Sequence, residues 1–112
     1  MTYWKINADP AKPTFEPVEI PEESSGFLKA CYRAIGCNYI EVTPTCIRGL
    51  VLIVDEEGKL KDNWQVNQVA TAIHARYGDP IAGDAILARE DDADLLPPTE
   101  KDVERLKAFF PY

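Results

Sequence analysis

The stretch Asn38–Leu60 (NYIEVTPTCIRGLVLIVDEEGKL) limits what this chain can fold into more than any other. Leu50 to Val54 are apolar without interruption. Such a run, bounded by turn signals, predicts a strand covered on both faces. Upstream, Ile40 and Val42 alternate with Glu41 and Thr43, which predicts a half-buried strand with Glu41 pointing outward. Pro44 ends that strand, because proline fixes φ and has no amide to donate. Asp55-Glu56-Glu57-Gly58 reads as the turn that leaves the second strand. Gly58 can take a positive φ there, and Asp55 can accept from nearby amides. This strand pair is expected at the centre of a small sheet, with the other segments covering it.

Thr2–Ile6 alternates and carries aromatic and β-branched residues, so it predicts a first strand. Asn7–Pro13 is a turn rich in breakers. Thr14–Ile20 resumes an extended path, and Pro17 confines it to a sheet edge or to irregular structure, the edge strand being the expected reading. Pro21–Gly36 predicts a helix. Phe27, Leu28, Cys31, Ala34 and Ile35 form its apolar stripe, Ser24 or Ser25 is the expected cap, and Gly36 the expected stop. Val66, Val69, Ala70, Ile73 and Tyr77 recur at helical spacing. They predict a second helix, capped near Asn63 and stopped by Gly78. Trp64 is read as packing at its start, the alternative being exposure in a binding groove. Asp79–Arg89 reads as a turn and then an apolar strand, with Gly83 marking a bulge or a close backbone approach. Glu90–Asp94 reads as an acidic loop. Pro97-Pro98-Thr99 opens a last helix with capping-box spacing from Thr99 to Asp102, an apolar face of Val103, Leu106 and Phe109 or Phe110, and a stop at Pro111. The expected architecture is α+β: one domain over residues 1–112, with a small mixed or antiparallel sheet of about four to five strands and three helices.

Composition narrows the function classes. Twelve Lys and Arg against nineteen Asp and Glu give a net charge of −7. That charge disfavours direct nucleic-acid binding, which relies on neutralising phosphates. It is compatible with an acidic decoy of DNA. No apolar run approaches the ~20 residues of a membrane helix, and the N-terminal stretch lacks a signal-peptide pattern, so a cytoplasmic protein is expected. The three cysteines, Cys31, Cys37 and Cys46, are an odd number without a C-x-x-C pair. Free thiols are therefore expected, with Cys31 a core residue. His74 is the only histidine, which leaves little basis for a zinc site, and no metal or cofactor is expected.

Catalytic signals are sparse. No nucleophile elbow, Walker motif or dinucleotide fingerprint is present. Glu41, Glu56 and Glu57 include possible acid–base carboxylates, but each also reads as an ordinary strand or turn residue. A ligand site has more to draw on. Asn67 offers both donor and acceptor groups, and Gly78, Asp79 and Gly83 form a bend where backbone could approach a ligand. The same residues also read as structural ties. Arg33, Arg48 and Arg76 are the candidate partners for an anionic group, and Trp64 a candidate contact residue. Trp4, Trp64 or the C-terminal Phe109-Phe110-Pro111-Tyr112 could serve a homo-oligomer face.

The succession GCNYIEVTPT, LVLIVDEEGKL, WQVNQVATAI and YGDPIAGDAILARED, at these spacings, resembles the domain-of-unknown-function family numbered 3846. That family is found mainly in phage and plasmid genomes. The positions that carry the resemblance are Gly36, Tyr39, Ile40 and Glu41, then Glu56, Glu57, Gly58 and Lys59, then Asn67, Gly78, Asp79 and Gly83. Two positions depart from the pattern: Asn38, where a small residue is commoner, and Asp55, where Asn is frequent. The resemblance implies a small α+β domain of mobile-element origin and brings no catalytic residues. The leading expectation is a non-enzymatic accessory protein that binds a host protein or sequesters a small polar host ligand. The rival is the acidic DNA mimic that blocks a host DNA-binding protein. An enzyme with a carboxylate acid or base comes third.

Overall fold

The apolar run forms a strand covered on both sides, and the rest of the fold follows from satisfying its two faces. The computed structural model describes residues 1–9, 14–62, 64–75, 79–92 and 94–108. The elements are β1 (Thr2–Ile6), β2 (Phe15–Glu19), α1 (Ser24–Ile35), β3 (Ile40–Pro44), β4 (Leu50–Asp55), α2 (Gln68–Ile73), β5 (Ala85–Asp91), β6 (Asp94–Leu96) and α3 (Glu100–Lys107). The sheet is antiparallel throughout, in the order β2-β1-β5-β4-β3. The short β6 continues beyond β1 on the same side of β5, since Arg89 pairs with Leu50 on one flank and Leu96 on the other. The α+β class stands, with six strands among the described residues.

Along β4, Leu50, Leu52 and Val54 join the core beneath α2 and α3. Val51 and Ile53 face the other way, into the core beneath α1. Each fully buried aliphatic side chain contributes about 1.5–3 kcal/mol, so both faces anchor this strand. β4 is interior, but β3 is not central as expected. It forms the sheet edge beyond β4, and β5 takes the middle. β5 earns that place by having the apolar Ala85 to Ala88 buried on both faces.

Position at the edge changes the burial expected along β3 at Val42 and Thr43, whereas Glu41 is exposed as expected and Ile40 half-buried. Ile40 and Val42 face the α1 side, where the single helix falls short of the edge, and Val42 stays 39% exposed. Glu41 and Thr43 face the α2 side, and Thr43 is buried. The other edge behaves as the sequence requires. Pro17 sits in β2 opposite Trp4, between the bonded pairs of the ladder, so its missing amide faces outward.

Three helix boundaries differ from expectation. α1 begins after Glu23, with no side-chain cap bond, rather than behind a capping serine. Its end is as expected: Gly36 adopts a left-handed conformation and donates to the Tyr32 carbonyl. α2 is shorter than its apolar spacing implies, starting after Asn67 and ending at Ile73. Pairing explains both ends. Val66 bridges Ala82 before the helix can start, and His74 bridges Thr45 after it. The expected cap Asn63 and the expected Tyr77 and Gly78 lie outside the described residues. α3 carries the expected capping box from Thr99 to Asp102, with Val103 and Leu106 buried. Phe109 to Tyr112 lie outside the described residues, as do residues 10–13 of the first turn.

Two loops are also corrected. Glu90–Asp94 is not a loop but the β5–β6 hairpin, turning at Asp92 with φ 48°. Asp is among the few residues that tolerate that region. Gly58 does not use positive φ. A Cβ there would lie 2.9 Å from the Ala82 carbonyl oxygen, so glycine is needed for close backbone approach. Asp55 does bond forward as expected, accepting from the Glu57 amide at 2.9 Å.

Candidate functional site

Asn67 is fully buried, and all of its polar atoms are engaged. Its Nδ2 donates to the carbonyls of Ile6 (2.8 Å) and Gly83 (3.1 Å), and its Oδ1 accepts from the Ala70 amide (3.0 Å). One side chain therefore joins β1, the Gly83 bend and the start of α2. Gly83 itself has φ 82° and open space where a side chain would be. Its amide donates to the Gln65 carbonyl at 2.8 Å. Asn67 and Gly83 do come together, but as a structural tie with no group left over for a ligand.

The other residues singled out in the sequence do not converge there. Arg33 is exposed on α1, on the opposite side of the sheet, and Arg48 is exposed in the β3–β4 connection. Trp64 is 40% exposed rather than packed, because the bridge of Val66 to Ala82 draws the chain into an extended path before α2 begins. Arg76 and Gly78 lie outside the described residues. Asp79 is the exception. It lines a cleft of about 290 Å³ between β3, the turn after β4 and the segment Asp79 to Ala82.

The apolar floor of this cleft comes from Val54, Ile81 and Ala82. Its polar centre is a buried hydroxyl–imidazole pair. Thr43 Oγ1 lies 2.8 Å from His74 Nε2, and His74 Nδ1 lies 3.1 Å from the Asp79 carbonyl oxygen. A carbonyl can only accept, so Nδ1 carries a proton and donates it to Asp79, while Nε2 is hydrogen-bonded to the Thr43 hydroxyl. The ring is fixed by the backbone bridge that ends α2: Cys46 donates to the Ile73 carbonyl (2.7 Å) and Ala75 to Pro44 (3.1 Å). Thus the pairing that shortens the helix also sets the histidine against the edge strand.

Around this centre stand charges of mostly one sign. Glu41, Asp55, Glu56 and Asp79 line the cleft together with Lys59. Lys59 is paired with Asp79, and Asp55 with Lys61. Lys61 also donates to the Gly36 carbonyl at 2.9 Å, fastening the end of α1 to the turn. The Asp55 carboxylate holds the Lys61 ammonium above its ordinary pKa, chiefly through their hydrogen bond. Glu41 and Glu56 have no ion-pair partner among the described residues. Both are exposed. Among the described residues the cleft is therefore rich in acceptors, and its one lining cation, Lys59, is already paired.

The cysteines take no part in it. Cys31 and Cys37 are buried, Cys46 is exposed, and all are free. Burial, with a smaller contribution from Cys37, pushes the Cys31 thiol up to about 11, which leaves it inert at neutral pH. Among the described residues no group of His, Cys, Asp and Glu is arranged to hold a metal ion. No helix there is long and apolar enough to cross a membrane.

Comparison with known families gives one match, which spans residues 4–110 and carries the description Domain of unknown function (DUF3846). The chain belongs to this family. The DUF3846 match begins within β1 and runs past α3, so all of the sheet but the first two residues of β1, and the whole cleft, fall within it. Neither the curated proteins nor the solved structures gave a match.

Sequence reasoning missed Thr43 and His74 as partners. Thirty-one positions separate them, and neither stands in a motif. The one available signal was that an edge strand buries polar residues only where something covers them. That covering segment is held by backbone bonds, which a sequence does not display.

Proposed function

We propose that this domain is a non-enzymatic accessory protein of a phage or other mobile element, acting by binding. Its ligand site is the cleft over Thr43 and His74. It takes a small polar host ligand, or a single side chain of a host protein, that carries an amine or guanidinium group. The observation that carries this reading is the pair of carboxylates, Glu41 and Glu56, that have no ion-pair partner among the described residues and line a cleft with an apolar floor. The volume of about 290 Å³ falls at the lower end of ligand pockets, which suits a small group. The same charges weigh against acyl transfer. Thr43 and His74 have the form of a nucleophile and its base, but carboxylates around them would oppose the negative charge that develops on an oxyanion. The mobile-element setting is part of this proposal, and the acidic composition suits a basic partner.

Native mass spectrometry of gently purified protein, followed by thermal-shift titration with arginine, agmatine and spermidine, tests this reading. The expected result is stoichiometric binding that E41Q/E56Q weakens roughly tenfold or more, as loss of charged hydrogen bonds requires. Wild type and E41Q/E56Q behaving alike in both measurements overturns the site. Recovery of a chemically altered ligand overturns the non-enzymatic reading.

A second reading, the acidic DNA mimic, draws on the β5–β6 hairpin, where Glu90, Asp91, Asp92 and Asp94 are all exposed. A complex of that kind would dissolve steeply with added salt, as protein–DNA complexes do.

A further inference from the structure

The two faces of the sheet are covered unequally. α2 and α3 pack on one face, and among the described residues α1 alone packs on the other. A sheet five strands wide spans roughly 19 Å between its outer strands, whereas a helix covers about 10 Å. One helix therefore leaves part of that face open. Between α1, the start of β1 and β6 the uncovered part forms a groove of about 500 Å³. Tyr3 forms its floor, edge-on to Phe27 at 5.8 Å, and the Tyr3 hydroxyl donates to the Leu95 carbonyl at 3.4 Å. The polar group of the floor is thus already used, and what remains open is more apolar than polar. Met1, Leu28 and Leu96 stand 45%, 40% and 37% exposed around it. Glu22 and Asp94 supply its negative charge, and both are exposed, whereas the ammonium of Met1, which also lines the groove, is paired with Glu19.

We propose that this groove is a docking surface for a protein segment that presents a large apolar side chain flanked by lysine or arginine. Charge complementarity selects that occupant. A second copy of this chain would set Glu22 and Asp94 against themselves, and an anionic lipid surface would be repelled by the same carboxylates. A cationic flank pairs with them while its apolar residue enters the groove. The surface lies across the sheet from the cleft over His74, so it adds a protein-binding face that the ligand reading does not supply and stands without it.

The test is fluorescence anisotropy with a labelled amphipathic peptide that carries Leu and Phe on one helical face and Lys on the other. Two matched peptides replace Lys by Glu, or Leu and Phe by Ala. Wild type should bind only the first. L28D should weaken it tenfold or more, and E22K/D94K likewise, whereas E57K, a charge reversal elsewhere on the surface, should change it less than twofold. All three variants alter exposed side chains, and circular dichroism checks that they fold. Equal binding of the Ala peptide, or equal losses in E57K and E22K/D94K, overturns the proposal by reducing it to general charge attraction. Self-association in sedimentation that L28D abolishes overturns it in favour of a second copy. Failure of E41Q/E56Q to affect the small amines would leave peptide binding intact, so the two readings fail separately.

Discussion

Replacing Asn67 tests the reading that its side chain is a structural tie. Asn67→Ala removes the donor to the Ile6 and Gly83 carbonyls and the acceptor for the Ala70 amide, all in a site with no exposure. Loss of the cap costs about 0.5–2 kcal/mol. Each buried backbone group left unsatisfied costs about 1–3 kcal/mol. Partial relaxation keeps the total from being a simple sum, and about 4 kcal/mol is expected. A domain of this size has roughly 5–15 kcal/mol in all. With a urea m-value near 2 kcal/mol/M, the unfolding midpoint should fall by roughly 2 M with m unchanged. Asn67→Asp separates the two halves of the argument. It keeps the shape and the Oδ1 cap but sets a carboxylate against two carbonyl oxygens, so at pH 7 it should cost at least as much as alanine. Urea titration followed by circular dichroism reads both variants. Costs below about 1 kcal/mol for both refute the reasoning, and an aspartate variant milder than alanine refutes the role given to Nδ2.

Gly58→Ala should destabilise by about 1–3 kcal/mol, because its new Cβ meets a backbone oxygen that cannot rotate away; a thermal midpoint within error of wild type counts against this. Thr43→Val leaves the buried His74 Nε2 without its hydrogen-bond partner and should cost about 1–3 kcal/mol, with Thr43→Ser retaining most of the stability, as read by urea titration. Burial pushes the Asp102 carboxyl up, but bonds from Thr99 and the paired Arg89 guanidinium outweigh it and hold the pKa below its ordinary value. Its contribution to stability is therefore complete above the unfolded pKa of about 3.9 and is lost as pH falls through the lower folded value. The stability gap between wild type and Asp102→Asn should accordingly shrink on acidification below about pH 4, and a gap independent of pH contradicts the pairing.

The parts of the fold that were legible in the sequence are those where one local rule acts alone. The run of β4, the left-handed stop at Gly36, the capping box at Thr99 and the edge position of Pro17 each follow from a residue's own geometry. The errors fall where a second segment competes for the same backbone. α2 has the apolar spacing of a longer helix, yet strand-like bridges claim Val66 and His74. The acidic residues of 90–94 have the composition of a loop, but the pairing of Arg89 with Leu96 draws them into a hairpin. Gly58 illustrates the same limit at one residue. Glycine was legible as necessary, whereas the reason for it, the Ala82 carbonyl, lies twenty-four positions away.

The site was less legible than the fold because its residues are ordinary in sequence and acquire meaning from the edge position of β3. A strand paired on both flanks would have Glu41 and Thr43 facing a covering helix or solvent. At the edge, His74 at the end of α2 closes over Thr43, while Glu41 stays exposed. One hydroxyl is buried against an imidazole, and the neighbouring carboxylate stays open to a ligand. The expected ligand residue Asn67 moves the other way: a side chain rich in donors and acceptors is spent on three backbone groups as soon as its neighbours pair. Sequence polarity therefore locates residues that must be satisfied, and only the pairing of strands and bridges decides whether the protein itself or a bound partner satisfies them. Among the described residues, the cleft carboxylates without an ion-pair partner, Glu41 on β3 and Glu56 in the turn after β4, stand on the two segments that the organising stretch Asn38–Leu60 brings together.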